Sequence, residues 1–320
     1  MAAVDSTINA TPAAAVLGRI VPQLADLMKL AARAAALPNW SHAVNARQQG
    51  DYRAPLKGRG MEYAESRPYQ AGDDVRAMDW RLTARIGKPH TKMFREERER
   101  PVYLCVDFRA NMQFATQGVF KSVQAARAAA LLAWKASYNG DRVGGLVFSD
   151  SAHHELAPAR GNVAVMRFLK LLTTAGALPA SATRANGEAE SSLVLALRRL
   201  RRLVKPGSLV FLVSDGREFS AETCADLAAL SRHCEVGLVL IHDAFEAALP
   251  SLEQPLNLTA RGTHFTLPGV TPEVDAGYRA RFEARLAFLT KMCREQHLLL
   301  TTLQTAEDPL PSLQRLLGRR

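Results

Sequence analysis

Two aspartates carry the most specific chemistry in this sequence. The apolar run 102–106 leads into Asp107-Phe108-Arg109-Ala110-Asn111-Met112, and the run 208–213 leads into Ser214-Asp215-Gly216. In open α/β sheets binding groups gather just outside the carboxyl ends of the strands. Two carboxylates leaving neighbouring strand tips can share a hard cation such as Mg²⁺. Either aspartate taken singly is accounted for as the cap of a following helix or turn; their joint occurrence points to a shared site. No glycine-rich phosphate loop follows any strand, so nucleotide binding has no support. A hydrolytic arrangement of His, Ser and acid is not visible either, and HExxH is absent. His153 and His154 are adjacent, so on a strand they point to opposite faces and do not readily share a metal. Cys105, Cys224, Cys234 and Cys293 lie far apart without a CxxC pair, which argues against a zinc site or disulfide framework and for a reducing compartment.

The elements that must position these aspartates follow from the hydrophobic pattern. Strand-length runs fall at 102–106, 142–148, 154–156, 208–213, 235–241 and 298–303, with helical periodicity near 118–138, 162–174, 191–204, 221–233 and 273–296. Strands alternating with helices of this length predict an α/β fold: a mostly parallel central sheet with helices on both faces. The run at 154 follows its predecessor too closely for a crossover helix, so it is expected as one antiparallel edge strand. Another short strand is expected near 263–267. Ahead of the sheet, residues 12–36 carry Leu17, Ile20, Val21, Leu24, Leu27, Met28 and Ala31 at helical spacing. This amphipathic helix is expected to pack on the protein rather than insert into a membrane. Residues 39–100, punctuated by glycine and proline, read as a small β-rich segment. The expected domains are therefore 1–38, 39–100 and 101–320.

Of the 320 residues, 48% are hydrophobic, which is ample for a buried core and excludes disorder as the main state. No apolar stretch reaches the roughly 20 residues of a membrane span, and no export signal is apparent. A cytoplasmic protein without membrane insertion is expected. The net charge of +10 permits phosphate binding, but the charge is spread and lacks interleaved aromatics, so no specific nucleic-acid contact is expected. Arg198, Arg199, Arg201, Arg202 and Lys205 share a helix with the apolar Leu193, Leu197, Leu200 and Val204. They read as a solvated basic face, with docking of phosphate or an acidic partner as the alternative.

A denser block precedes the sheet: Arg67-Pro68-Tyr69-Gln70-Ala71-Gly72-Asp73-Asp74-Val75-Arg76-Ala77-Met78-Asp79-Trp80-Arg81, followed by Arg85. Its charges and aromatics suit a partner surface. An internal network in which arginines and aspartates pair while Trp80 and Tyr69 pack beneath is the other reading, and the one favoured for Asp73, Asp74 and Arg76.

The strand ending in Asp107, the long helix after it, the strand opening at Gly140-Asp141-Arg142-Val143 and the strand closing at Ser214-Asp215 together resemble the von Willebrand factor A-like domain. The block from Glu62 to Arg85 resembles the signature of the DUF58 family, and the resemblance covers roughly residues 50–240. It implies a protein-recognition role beside MoxR-type AAA+ ATPases and their client proteins. It also implies a metal-ion-dependent adhesion site of the form Asp-x-Ser-x-Ser, completed by a hydroxyl from a second loop and an aspartate from the fourth strand. Asp107 and Asp215 match the aspartates, and Ser191 or Ser192 is the candidate for the second-loop hydroxyl. The two serine positions hold Arg109 and Asn111 instead. Asn111 still offers a carbonyl oxygen, whereas an arginine has no lone pair for a cation. A guanidinium is itself a plausible replacement for the metal, pairing with carboxylates. The expected site is therefore a recognition surface without catalytic residues, formed by Asp107, Arg109, Asn111, Ser192 and Asp215, with no cofactor. Weak Mg²⁺ binding at Asp107, Asn111, Ser192 and Asp215 is the alternative. Two further functions stay open: a Mg²⁺-dependent hydrolase using Asp107 and Asp215, and nucleic-acid binding through the basic helix.

Overall fold

The computed structural model describes residues 12–40, 61–96, 100–177, 192–249, 256–260, 263–267 and 271–318. The chain divides into two compact units, one formed by Met1–Trp40 with Pro101–Arg320 and the other by Ser41–Arg100. The N-terminal segment is two helices rather than the single one expected, α1 (Pro12–Ile20) and α2 (Leu24–Ala34). Pro22 lies between them, and proline has no N–H for the helical ladder and restricts the residue before it. Only the second half of the apolar stripe is covered. Leu27 and Ala34 are buried, whereas Leu17, Ile20 and Met28 are exposed.

The unit Ser41–Arg100 contains strand β1 (Met61–Pro68), helix α3 (Trp80–Ile86) and strand β2 (His90–Glu96). The two strands form an antiparallel pair, with a short 3₁₀ turn at Val75–Ala77 between them in sequence.

The larger unit continues through β3 (Pro101–Asp107), α4 (Lys121–Tyr138), β4 (Arg142–Phe148), β5 (His153–Ala159), α5 (Gly161–Ala177), α6 (Ser192–Leu203), β6 (Leu209–Ser214), α7 (Ala221–Ser231) and β7 (Glu235–His242). It ends with α8 (Ala244–Ala247), β8 (Leu256–Ala260), β9 (Thr263–Leu267), α9 (Pro272–Glu295), β10 (Leu299–Gln304) and α10 (Pro309–Gly318). Six strands make one sheet in the order β10-β7-β6-β3-β4-β5, all parallel except the edge strand β5. This is the mostly parallel sheet with one antiparallel edge strand that the sequence pattern predicts and that the resemblance to the von Willebrand factor A-like domain implies. The strand near 263–267 is present as β9, paired with β8 in a separate hairpin.

Continuous apolar runs become parallel strands because both faces are covered. Val102, Leu104 and Val106 of β3 join a core with Leu27, Ala129, Phe168 and Leu313, while Tyr103 and Cys105 join one with Leu193, Leu227 and Leu289. Helices α2, α4, α5 and α10 therefore line one face and α6, α7 and α9 the other. Helix α4 is buried along nearly its whole length, including Ala125, Ala126, Ala128, Ala129, Ala130 and Ala133. Small side chains let α2 and α5 approach it closely. Trp40 sits in this core and donates from Nε1 to Asp141 Oδ2 at 2.7 Å.

Chain order and strand order together place the site. From β3 the chain moves outward to β4 and β5, then returns to β6 on the other side of β3. The crevice of such a sheet opens at this reversal, outside the carboxyl ends of the strands. The register pairs Val106 with Val213, which sets Asp107 beside Ser214.

Candidate functional site

Asp107 lies at the tip of β3, fully buried. Its Oδ1 accepts the backbone N–H of Arg109 at 2.9 Å and Arg109 Nε at 3.0 Å. Its Oδ2 accepts Arg109 Nη2 at 2.7 Å and the Ser214 hydroxyl at 2.7 Å. The carboxylate thus folds its own chain back into a turn and receives the guanidinium side-on, the strongest geometry for this pair. Burial pushes the Asp107 carboxyl up from its ordinary value, and Arg109 pulls it back. Burial works against the Arg109 charge too, but Asp107 outweighs it and holds the guanidinium above its usual range.

Asp215 follows β6 and is equally buried, yet its carboxylate belongs to a different cation. Arg109 Nη2 stands 3.9 Å from Asp215 Oδ1, whereas Lys121 Nζ donates to Asp215 Oδ2 at 3.1 Å and to Glu246 Oε1 at 2.8 Å. Asp215 Oδ1 accepts the backbone N–H of Arg217 at 3.0 Å. Burial alone would raise the Asp215 carboxyl; Lys121 and the Arg217 N–H reverse this and hold it below the ordinary value. Arg109 thus faces both aspartates, bonding Asp107 and standing at the edge of ion-pair distance from Asp215, and a second, fully buried cation, Lys121, shares Asp215 with it.

The network extends outward. Arg109 Nη1 donates to Glu218 Oε2 at 2.6 Å, and Arg217 Nη2 donates to Glu246 Oε1 at 2.7 Å. Glu246 Oε2 accepts the backbone N–H of Asp243, and the Asp243 side chain accepts from Phe245 N, a capping box at the start of α8. Thr116 N and Thr305 Oγ1 also donate to Asp243, at 2.9 and 2.7 Å. Asp107, Arg109 and Asp215 are therefore brought together. Asn111 lies half-buried on a 3₁₀ turn, Ala110–Met112, and Ser192 opens α6 with its hydroxyl unpaired. Neither bonds to those three residues among the described contacts, and Ser191 lies outside the described residues.

Lys121, Glu246, Glu218 and Ser214 were not legible as site residues, though two left a trace. Lys121 opens a helix rich in alanine and leucine, where a lysine has little water to reach. Asp243 and Glu246 have capping-box spacing.

These donors do not suit a divalent cation. Both oxygens of Asp107 and both of Asp215 are engaged by internal N–H and O–H groups, and two positive side chains stand within the ligand positions. Among the described residues no group of three His, Cys, Asp or Glu side chains converges as a metal site.

In the smaller unit, the charged block is an internal network in part. Asp73 accepts from Arg67 Nη2 at 2.6 Å and from Gln70 N at 2.9 Å, and these, the Gln70 N–H foremost, hold its carboxyl below the ordinary value. Asp74 caps the 3₁₀ turn through Arg76 N, and Asp79 caps α3 through Leu82 N while accepting Ser66 Oγ. Trp80 is 63% exposed, so it does not pack beneath this network as the internal reading required; as the first residue of α3 it projects outward. Tyr69 is half-buried, and Arg76, Arg81 and Arg85 are exposed.

On α6, Arg198, Arg199 and Arg201 each stand within ion-pair distance of an acid, Glu222, Glu155 and Asp226 respectively. That is the arrangement of a solvated, locally paired basic face.

Fold and site define an α/β domain with a mostly parallel six-stranded sheet whose strand-tip carboxylates carry built-in cations. More particularly, the chain belongs to the DUF58 family: the family model described as "Protein of unknown function DUF58" matches residues 65–287. Among relatives, "Uncharacterized protein Rv1480" of Mycobacterium tuberculosis and "Uncharacterized protein Mb1516" of Mycobacterium bovis are each 27% identical over 271 residues, 85% of this chain and 83% of theirs. Similar solved structures include the conserved hypothetical protein BatB from Bacteroides thetaiotaomicron, 12% identical with a TM-score of 0.42 over 69% of this chain and 98% of that one. An aerotolerance-related membrane protein from Bacteroides fragilis, 11% identical, has a TM-score of 0.43 over 69% of this chain and all of that one. A von Willebrand factor type A protein from Catenulispora acidiphila, 11% identical, has a TM-score of 0.32 over 72% and 45%. Among the described residues no helix is long and apolar enough to cross a membrane.

Proposed function

We propose that this protein is a non-enzymatic, cytoplasmic recognition module that binds without a metal ion and works as an adaptor or co-chaperone with a MoxR-type AAA+ ATPase on client proteins. The observation that carries this reading is the saturation of the strand-tip carboxylates by Arg109, Lys121 and Ser214. Groups so engaged are poorly placed to act as base, nucleophile or metal ligand, whereas the surface they stiffen remains available. That surface includes exposed Ala110 and Phe114, with Phe114 stacked edge-on against Phe245 and Phe245 against Tyr278, at 6.2 and 6.4 Å between ring centroids. Aromatics and arginines are the side chains that anchor protein interfaces. The smaller unit adds a second candidate anchor in exposed Trp80, on a segment that also carries exposed Arg76, Arg81 and Arg85.

The test is direct binding between the purified protein and the MoxR-type ATPase of the same genome. Ala110→Arg should weaken binding by about tenfold or more with the unfolding midpoint unchanged, and a chelator should leave wild-type affinity as it is. Equal affinity in the variant, or loss of binding on chelation, overturns the reading.

A further inference from the structure

We infer that an arginine-lined cavity on α6 binds the diphosphate group of a small molecule, at a site that shares no residue with the strand-tip network.

Arg198, Arg201 and Arg202 stand at positions i, i+3 and i+4 of α6, which puts them on one face of the helix. They line a cavity of about 310 Å³, within the size range of small-ligand pockets. Arg199 turns elsewhere, toward Glu155 of β5. Basic residues in a last turn suit the negative end of a helix, which accounts for Arg201 and Arg202. It does not account for Arg198, a turn earlier on the same cavity.

The three guanidiniums are held differently. Arg201 Nη1 donates to Asp226 Oδ1 at 2.6 Å, and Asp226 is itself buried. That acid orients the guanidinium through one nitrogen, and among the described contacts Nε and Nη2 of Arg201 have no acceptor. Arg198 Nη2 stands 3.7 Å from Glu222 Oε2, whose side chain is 64% exposed, so water screens this pair. Arg202 is exposed and has no ion pair among the described residues. The cavity thus combines one cation fixed in place with another that no acid compensates.

The chemistry of the lining selects the ligand. Guanidinium forks bind phosphate oxygens in bidentate pairs. A carboxylate has oxygens for one such fork, whereas a diphosphate has them for all three. Single-stranded nucleic acid is bound by basic grooves that also stack the bases on aromatic rings, and α6 carries no aromatic side chain. A lipid surface is met by a broad apolar face beside the cations, but Leu195 is the one large apolar side chain exposed on the described length of α6. A compact phosphate-bearing molecule fits where an extended polyanion does not.

The experiment is calorimetric titration of the full chain with inorganic pyrophosphate at physiological salt. Saturable binding at one site per chain is expected, with none for succinate. Arg198→Gln and Arg202→Gln should each weaken it about tenfold. Arg199→Gln removes the same charge from the same helix outside the cavity and should change it by less than about twofold. Pyrophosphate should also raise the thermal midpoint of the wild type and leave that of the Arg198→Gln, Arg202→Gln double variant unmoved. No saturable binding by the wild type, or an equal loss in Arg199→Gln, overturns the inference. Retention on phosphatidylglycerol vesicles or single-stranded DNA that pyrophosphate does not compete away also overturns it, because the face would then serve an extended polyanion.

Discussion

Lys121 shows at the scale of one residue why this site is organised as a pair of built-in cations. A buried ammonium survives only with close anionic partners, because burial in a low-dielectric interior disfavours its charge. Here Asp215 and Glu246 provide them at 3.1 and 2.8 Å. Lys121→Met keeps the volume but leaves both carboxylates facing only Arg217 and Arg109. It should therefore cost about 3–5 kcal/mol in urea unfolding; a loss below about 1 kcal/mol would mean the pair is dispensable. His242 sets a pH dependence. Burial lowers its pKa and Arg285 adds to this, while Glu246, Glu307 and Asp243 oppose it. A histidine whose folded pKa lies below its unfolded value of about 6.5 contributes stability above that value and loses it as the pH falls through the folded pKa. The thermal midpoint should drop between pH 7.5 and pH 5.5, and His242→Gln, neutral throughout, should flatten the decline. Asp107, raised by burial, acts in the opposite sense, so the comparison with His242→Gln is what isolates the histidine.

At the scale of elements, two segments show how a local rule and a packing demand divide the work. Pro22 breaks the N-terminal periodicity into α1 and α2, and the chain beyond α2 delivers Trp40 to the main core, where its ring lies 6.1 Å from that of Phe211. Trp40→Phe removes the donor to buried Asp141 while keeping the aromatic ring, and should cost about 1–3 kcal/mol, measured by denaturant unfolding. Helix α3 works in the reverse direction. Its cap, Asp79, is buried and bonded, while Trp80 beside it faces solvent. Trp80→Ala should leave the unfolding midpoint within about 0.5 kcal/mol of wild type yet weaken ATPase binding. A stability loss with binding intact would return Trp80 to a structural role.

For the whole molecule, a ligand that binds the folded state raises its stability in proportion to the logarithm of its concentration over Kd. Mg²⁺ or Mn²⁺ at millimolar concentration should therefore leave the thermal midpoint unmoved, because the strand-tip oxygens are already engaged. In Arg109→Ser, which restores an oxygen ligand and removes one cation, a metal-dependent rise is expected; a rise in the wild type that vanishes in Asp107→Ala would overturn the metal-free site. The sequence by itself determined the sheet and its crevice. Apolar runs of strand length, alternating with helical periods, leave few topologies, and the carboxyl ends of β3 and β6 then place Asp107 and Asp215 together. The edge strand β5 was legible for the same reason, since a short connection permits only an antiparallel return. The charge partners were decided by tertiary structure alone. Lys121, Glu218 and Glu246 come from three separate segments, with Lys121 94 residues from Asp215 and 125 from Glu246. No local spacing encodes which of two cations a buried carboxylate will meet. Asp107 could be assigned to Arg109 from a gap of two residues, but Asp215 was settled by the fold, because the site fills only when α4 and α8 bring their own charges to the strand tips.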